Sequence, residues 1–473
     1  MTPVSPPAAP VPTVRGPLTT LALSMLLPAL GTSIANVGLP TFAKTFEAPF
    51  QDVQWIVLAY LLTITTLIVT IGRLGDIIGR RRLLRAGMAL FAVASVLCAL
   101  APSLWLLVAA RALQGLGASV MMALTMAFVG ETVPKSRTGS AMGLLGTTSA
   151  IGTMIGPAVG GILIARFGWP SIFLAIVAPA IVAWLMAGAF LPPDRPAAKR
   201  PGFDHRGTLL LAFTLGAYAL AMTLGRGHFG PTNIALLLGA AAGAIVFVYA
   251  ELKAPTPLIR LGMLKSPTLS SGLATSALVS TVMMATLVVG PFYLARGLGL
   301  DTGMTGIVMA AGPLMAAFCG VPSGRAVDRF GAQRMGSVGL CGAAAACIAL
   351  ALLPTSLGIV GYAAPLMVLT ASYALFQAAN NTAVMTDIVA EQRGLVSAML
   401  NLSRNLGLVT GASVMGALFA WSAAAGELAN AQPADMARGM HTTFAVAAAL
   451  VIAALAVTLA SRAFSQSPSG DLA

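Results

Sequence analysis

Two arginines stand where charge is expensive. Arg111 and Arg404 lie inside the apolar runs 104–127 and 395–422, and neither run holds an acidic partner. An ionisable group within a membrane-length run costs a few kcal/mol, so it marks either a function or a specific bond. Two chemistries are open to Arg111. It can bond backbone carbonyls and polar neighbours as a structural and gating group, or it can attract an anionic or carbonyl-rich substrate. Arg404 shares the second option, with helix packing as its alternative. It stands about ten residues, roughly 15 Å, into its run. Uncharged polar residues occupy similar runs: Asn36, Gln114, Gln377, Asn380, Asn381, Asn401 and Asn405. Positions 377, 380 and 381 share one helical face, which favours a binding role for that group. Met121, Met122, Met283 and Met284 could form an adaptable apolar wall, or simply core.

The acidic residues are placed differently. All fourteen (Glu47, Asp52, Asp76, Glu131, Asp194, Asp204, Glu251, Asp301, Asp328, Asp387, Glu391, Glu427, Asp435 and Asp471) fall in loops, tails or helix ends. None is near the middle of an apolar run. The three histidines (His205, His228 and His441) lie in or beside loops without an HExxH pattern or a nucleophile constellation. Cys98, Cys319, Cys341 and Cys347 fall inside apolar runs without zinc-ligand spacing, and read as buried free thiols. No enzyme chemistry, metal or cofactor is expected.

The elements that must position these residues follow from composition. The chain has 473 residues, 58% apolar and 9% charged, whereas a soluble domain carries about 25% charge. Soluble enzyme and disordered chain are both excluded. Apolar runs of about 20 residues cross a bilayer as helices, because only a helix satisfies its own backbone there. Fourteen runs qualify: 18–38, 54–72, 83–101, 104–127, 140–164, 170–191, 207–225, 232–250, 270–294, 304–323, 335–353, 361–386, 395–422 and 442–462. The Pro-rich start reads as a flexible tail, and no cleaved signal peptide is expected. With the amino terminus inside, 20 of the 27 Lys and Arg fall on the inner side and five on the outer. That bias fits the positive-inside rule with both termini in the cytoplasm. The basicity is topology, and no nucleic-acid partner is expected.

A repeat divides the chain. Gly72-Arg73-Leu74-Gly75-Asp76-Ile77-Ile78-Gly79, followed by Arg80, recurs as Gly324-Arg325-Ala326-Val327-Asp328-Arg329-Phe330-Gly331. Both copies end an even-numbered run, and their offset of 252 residues implies eight run-plus-loop units. Two six-helix halves need six, so the runs at 207–225 and 232–250 are an inserted pair. The glycines permit a tight turn, and the Asp76 carboxylate can face a helix N-terminus or nearby arginines. Such a contact suits a conformational latch. A second signature, Gly143, Gly152, Gly156, Pro157, Gly160 and Gly161, strips one helix face so that another helix can approach, while Pro157 permits a bend.

In combination these motifs resemble the major facilitator superfamily, and within it the fourteen-helix drug:proton antiporter branch. Gly72, Leu74, Asp76, Gly79, Arg80 and Arg81 match that family's loop motif. Positions 143–161 match its antiporter motif, and Arg111, Gln114, Gly115 and Gly117 match its fourth-span motif. Trp55, Tyr60 and the segment Ser403-Arg404-Asn405-Leu406-Gly407 also look like this branch, and the resemblance runs from about 18 to 462. It implies an all-α membrane protein of the major facilitator fold. The implied organisation is a cytoplasmic tail (1–17), an N-terminal six-helix half (18–191), a linker (192–206), two extra helices (207–250), a C-terminal half (251–462) and a tail (463–473). It further implies a monomeric secondary transporter in the bacterial inner membrane, with the lipid bilayer and a small-molecule substrate as partners. Efflux by alternating access, driven by the proton gradient, is the implied activity. One departure bears on coupling: where the antiporters' first span carries an aspartate, this chain has Gly31 in the frame Leu30-Gly31-Thr32. Two alternatives stand beside efflux. One is an organic-anion transporter or uniporter, uncoupled or coupled through Asp52, Glu131 or Asp387, and the other a transporter-like membrane sensor.

Overall fold

The computed structural model describes residues 15–132, 138–194, 205–223, 230–254, 261–386, 388, 393–423 and 432–466. Among the described residues every regular element is helical and none is a strand. The long helices are α1 (Arg15–Val37), α3 (Phe50–Ile78), α4 (Arg80–Ala99), α5 (Leu104–Thr132), α6 (Thr138–Phe167), α7 (Pro170–Phe190), α8 (His205–Thr223), α9 (Pro231–Lys253), α10 (Pro267–Phe292), α11 (Thr302–Phe330), α12 (Ala332–Leu352), α13 (Gly358–Thr386), α14 (Arg393–Thr410) and α16 (Pro433–Gln466). Short helices α2 (Leu39–Thr45) and α15 (Gly416–Ser422) complete the set. Twelve helices in the described part are long and apolar enough to cross a membrane. The expected runs at 140–164 and 207–225 lie in α6 and α8, helical over 30 and 19 residues, but neither is among those twelve.

Packing follows the sequence order. α1 lies against α5, α6 and α7, α4 against α5 and α7, and α3 against α5. The later helices repeat the pattern, with α10 against α14 and α16, and α12 against α13 and α16. These two groups meet along α6–α11 and α3–α14, while α8 and α9 pair with each other and α8 leans on α3. Outward faces stay apolar, as at Leu238 and Ile245 of α9 or Leu185 of α7, as lipid contact requires.

The repeated segment folds alike in both copies. α3 and α11 each run 29 residues and end at a glycine of positive φ, Gly79 at 108° and Gly331 at 87°. In each turn the glycine N–H closes the helix, Gly79 onto Gly75 at 3.0 Å and Gly331 onto Val327 at 2.9 Å. A side chain at that φ would be strained, which is why glycine occupies both turns. We call the end of the bundle bearing these turns the turn face, and the opposite end the far face.

The run predicted over 395–422 is helical throughout, as α14, a π-helical turn at Gly411–Met415 and α15, and Met399–Ser422 is long and apolar enough to cross as one span. The widened turn falls where the backbone is crowded: a methyl on Gly411 would lie 2.4 Å from the Thr281 carbonyl oxygen. Most of the tails and linker placed at 1–17, 463–473 and 192–206 lies outside the described residues.

Candidate functional site

The strongest polar cluster surrounds Arg111. This residue is fully buried on α5, and α1, α3, α4 and α7 contribute residues to the cluster. Its Nε donates to the Ile56 carbonyl of α3 at 3.0 Å, and its Nη1 to Gln114 Oε1 one turn along α5. Gln114 Nε2 donates in turn to Ser95 Oγ of α4 at 2.8 Å, and Ser95 donates to the Phe91 carbonyl. The guanidinium carbon lies 4.1 Å over the Tyr60 ring of α3 and 6.0 Å from Phe173 of α7. Tyr60 donates its hydroxyl to the Pro28 carbonyl of α1 at 2.9 Å. No described carboxylate touches the group, and Nη2 has no partner. The charge is held by one carbonyl, an amide and a π face, which suits a positioning role and leaves one donor unspent.

Gly31 faces the same place. A methyl there would lie 3.0 Å from Tyr60 Oη and 3.3 Å from Phe91 Cζ. An aspartate in this position would reach the Tyr60 hydroxyl that now bonds Pro28. Its absence leaves the Arg111 cluster cationic.

The amides at 377, 380 and 381 have different surroundings. Gln377 is half-buried and donates to Tyr373 Oη on its own helix at 2.9 Å. Asn380 is buried and donates to the Gly272 carbonyl of α10 at 3.1 Å, whereas Asn381 is exposed. A shared sequence face does not ensure a shared environment. Asn36 donates to Thr32 at 2.7 Å within α1, with its oxygen buried and unbonded. Arg404 is half-buried on α14, and among the described residues it has no hydrogen-bond or ion-pair partner.

The glycine signature of α6 does what its spacing implies, on two partners at once. Methyls at Gly152, Gly156 and Gly160 would meet α1 at 2.5 Å from the Leu26 carbonyl, 1.9 Å from Ser33 Oγ and 2.8 Å from Ile34 Cγ1. Gly161 points elsewhere, 2.7 Å from the Thr302 carbonyl of α11. Across that contact a methyl on Gly306 would lie 2.3 Å from the Pro157 carbonyl. Gly306 was not singled out by the sequence, though it opens an apolar run as a small residue must at such a crossing.

Other far-face contacts join the two groups. The Phe50 ring meets Phe292 edge-on at 4.6 Å and Phe419 at 5.9 Å. Gln54, almost fully buried on α3, donates to the Ala412 carbonyl in the π turn at 3.0 Å. At the turn face α11 is open instead: Phe318, Val321 and Asp328 are exposed, and methyls at Gly320, Gly324 and Gly331 would meet nothing within 4 Å. Among the described residues, α11 is tightly packed at the far face and exposed at the turn face.

Of the expected latch, only part falls among the described residues. Positions 72 and 76 are helical in α3, but the Asp76 side chain lies outside the described residues. Arg80 starts α4 and is half-buried, and the Asp328 carboxylate in the second copy is exposed. The carboxylate that caps a helix here is Asp194, just past α7. It accepts from the backbone N–H groups of Arg81 at 2.7 Å and Arg82 at 3.1 Å. Arg81 returns the contact by donating to the Ala187 and Gly188 carbonyls at the end of α7. The cap joins a negative group to a positive helix end across 113 residues of sequence.

Comparison with known proteins agrees with this architecture. The profile described as Major Facilitator Superfamily matches residues 21–412. An uncharacterized transporter of Escherichia coli, YebQ, is 31% identical over 407 residues, covering 86% of this chain and 89% of that one. The riboflavin transporter RibZ of Clostridioides difficile is 29% identical over 402 residues, 85% of this chain and 87% of its own. The multidrug efflux pump LfrA of Mycolicibacterium smegmatis is 29% identical over 406 residues, 85% and 80% respectively. Among solved structures, a bacterial homolog of the human lysosomal transporter Spinster, inward-facing and unoccupied, superimposes with a TM-score of 0.68. It is 18% identical, covers 96% of this chain and 99% of its own, and speaks for the fold alone.

Proposed function

The chain belongs to the major facilitator superfamily, and we propose that within it the protein exports small amphipathic compounds by alternating access, driven by the proton gradient. It works as a monomer with fourteen spans in a bacterial inner membrane, two six-helix halves flanking the pair α8 and α9. Both termini and the turn face lie in the cytoplasm. The observation that carries this reading is α6, whose glycines press one backbone against α1 in its own group and α11 in the other. A helix so placed can pivot between two packed states without displacing side chains. The far-face closure belongs to the inward-open state. The relatives named as efflux pumps support the direction of transport.

The test is transport in proteoliposomes of known orientation, loaded with a lipophilic dye and given an imposed pH gradient. Export that accelerates with the gradient and stops on its collapse supports the reading. Flux indifferent to the gradient removes proton coupling, and no flux of any amphipathic compound removes export.

One observation favours a second reading, transport of an organic anion. Arg404 is half-buried, unpaired among the described residues, and Gly31 contributes no charge to offset Arg111. A relative named as a riboflavin transporter fits a substrate rich in carbonyl groups. Under this reading Arg404→Gln raises KM for anionic compounds and leaves KM for neutral ones unchanged.

A further inference from the structure

The two halves treat one helix end in opposite ways. In the first, the N-terminus of α4 is capped by Asp194, which arrives from the end of α7. In the second, the corresponding place is where the end of α16 meets the start of α12. Here the arriving group is Arg462, whose Nη2 donates to the Gln333 carbonyl in the first turn of α12. A cation at the positive end of a helix has the wrong sign. Arg334, on the same turn, adds a second positive charge, and among the described residues no side chain accepts from the first N–H groups of α12.

Beside these charges lies a cavity of about 410 Å³. Arg334 and Arg462 line it with the hydroxyls of Thr268, Ser271, Thr458 and Ser461, and no carboxylate is on its walls among the described residues. Asn380 lines it too, nine-tenths buried; its Nδ2 is committed to the Gly272 carbonyl, and its oxygen has no bonded partner among the described residues. Guanidinium groups, hydroxyls and an uncapped helix end select a tetrahedral oxyanion. The free acceptor of Asn380 on the cavity wall can take a hydroxyl of the same ligand.

We propose that this cavity binds a phosphate or phosphate ester carrying a hydroxyl, which takes the place that Asp194 fills in the first half. The occupant neutralises Arg334 and Arg462 and caps α12, tying α10, α12 and α16 together at the turn face. The same chemistry is offered by a soluble phosphate ester and by the glycerol phosphate head of an anionic lipid.

The test uses the purified full chain with Cys319→Ser and Cys341→Ser, since those thiols are half-buried and exposed, and follows thermal unfolding through a thiol-reactive dye on Cys98 and Cys347, which are buried until the fold opens. Inorganic phosphate and glycerol 3-phosphate are titrated at constant ionic strength in neutral detergent. In parallel, nanodiscs of phosphatidylglycerol are compared with nanodiscs of phosphatidylcholine. A saturable rise in the midpoint with the soluble anions identifies a soluble occupant, and a rise confined to phosphatidylglycerol identifies the lipid. Arg462→Gln keeps a donor for Gln333 but loses the charge, and is expected to weaken the response by about tenfold. Ser461→Asp supplies a carboxylate in the anion's place, so it raises the midpoint without phosphate and abolishes the response. If neither phosphate nor phosphatidylglycerol moves the wild-type midpoint, or if both variants respond as wild type does, the proposal is overturned.

Discussion

Replacing Gly306 with alanine tests the far-face closure at its tightest contact with backbone. The added methyl would lie 2.3 Å from the Pro157 carbonyl oxygen and 3.0 Å from Gly161 Cα. Both are backbone atoms, so no side chain can rotate away. Restoring ordinary van der Waals separation requires α6 and α11 to part by about 1 Å at the crossing. Overpacking of this kind costs ~1–3 kcal/mol. Only the state in which the two helices touch bears that cost, so the far-closed population falls by about 5- to 150-fold relative to its alternative. Spin labels on Lys44 of α2 and Met304 of α11, both exposed, read the separation across the far face. Gly306→Ala should shift the distance distribution outward and slow transport. Gly320→Ala, where a methyl meets nothing within 4 Å on the same helix, should leave both unchanged. Identical distributions in wild type, Gly306→Ala and Gly320→Ala would falsify the claim that this backbone contact holds the far face shut.

The remaining predictions concern the other contacts. Gln54→Leu removes a buried hydrogen bond between the groups, a loss of about 1 kcal/mol that the same spin pair registers as a severalfold shift away from closure. Arg111→Lys cannot serve Ile56 and Gln114 together or lie flat on Tyr60, so thermal stability should drop by about 2 kcal/mol, read as a lower melting midpoint. An unchanged midpoint would show that the bonds around Arg111 contribute little. Gly79→Ala and Gly331→Ala share the strain of a positive φ, about 1–3 kcal/mol each. Only the former also drives a methyl to 2.6 Å from the Asp194 carboxylate, so it should destabilise more in parallel melts. Gly31→Asp places a carboxylate beside Tyr60 and near Arg111, and counterflow assays should show uptake of permanent cations rising relative to neutral compounds.

Much of this protein is legible without its structure because the signals are local. Apolar runs of bilayer length dictate helices, and the repeated segment at Gly79 and Gly331 dictates the same turn twice. The glycine spacing on α6 likewise announces close helix contact before any partner is known, since small residues at fixed intervals strip one face. What the sequence could not assign are partners, and the reason is chemical. Arg111 is held largely by a backbone carbonyl and a ring face, and carbonyls belong to every residue, so no side chain advertises them. Asp194 caps α4 although no motif singled it out, because which carboxylate reaches a helix end depends on where α7 finishes in space. Gly306 meets Pro157, and Asn380 parts company with Gln377 and Asn381, only once α11 and α10 are docked. Periodicity along the chain determined the helices and their small-residue faces; the tertiary fold alone decided which backbone each face and charge would find.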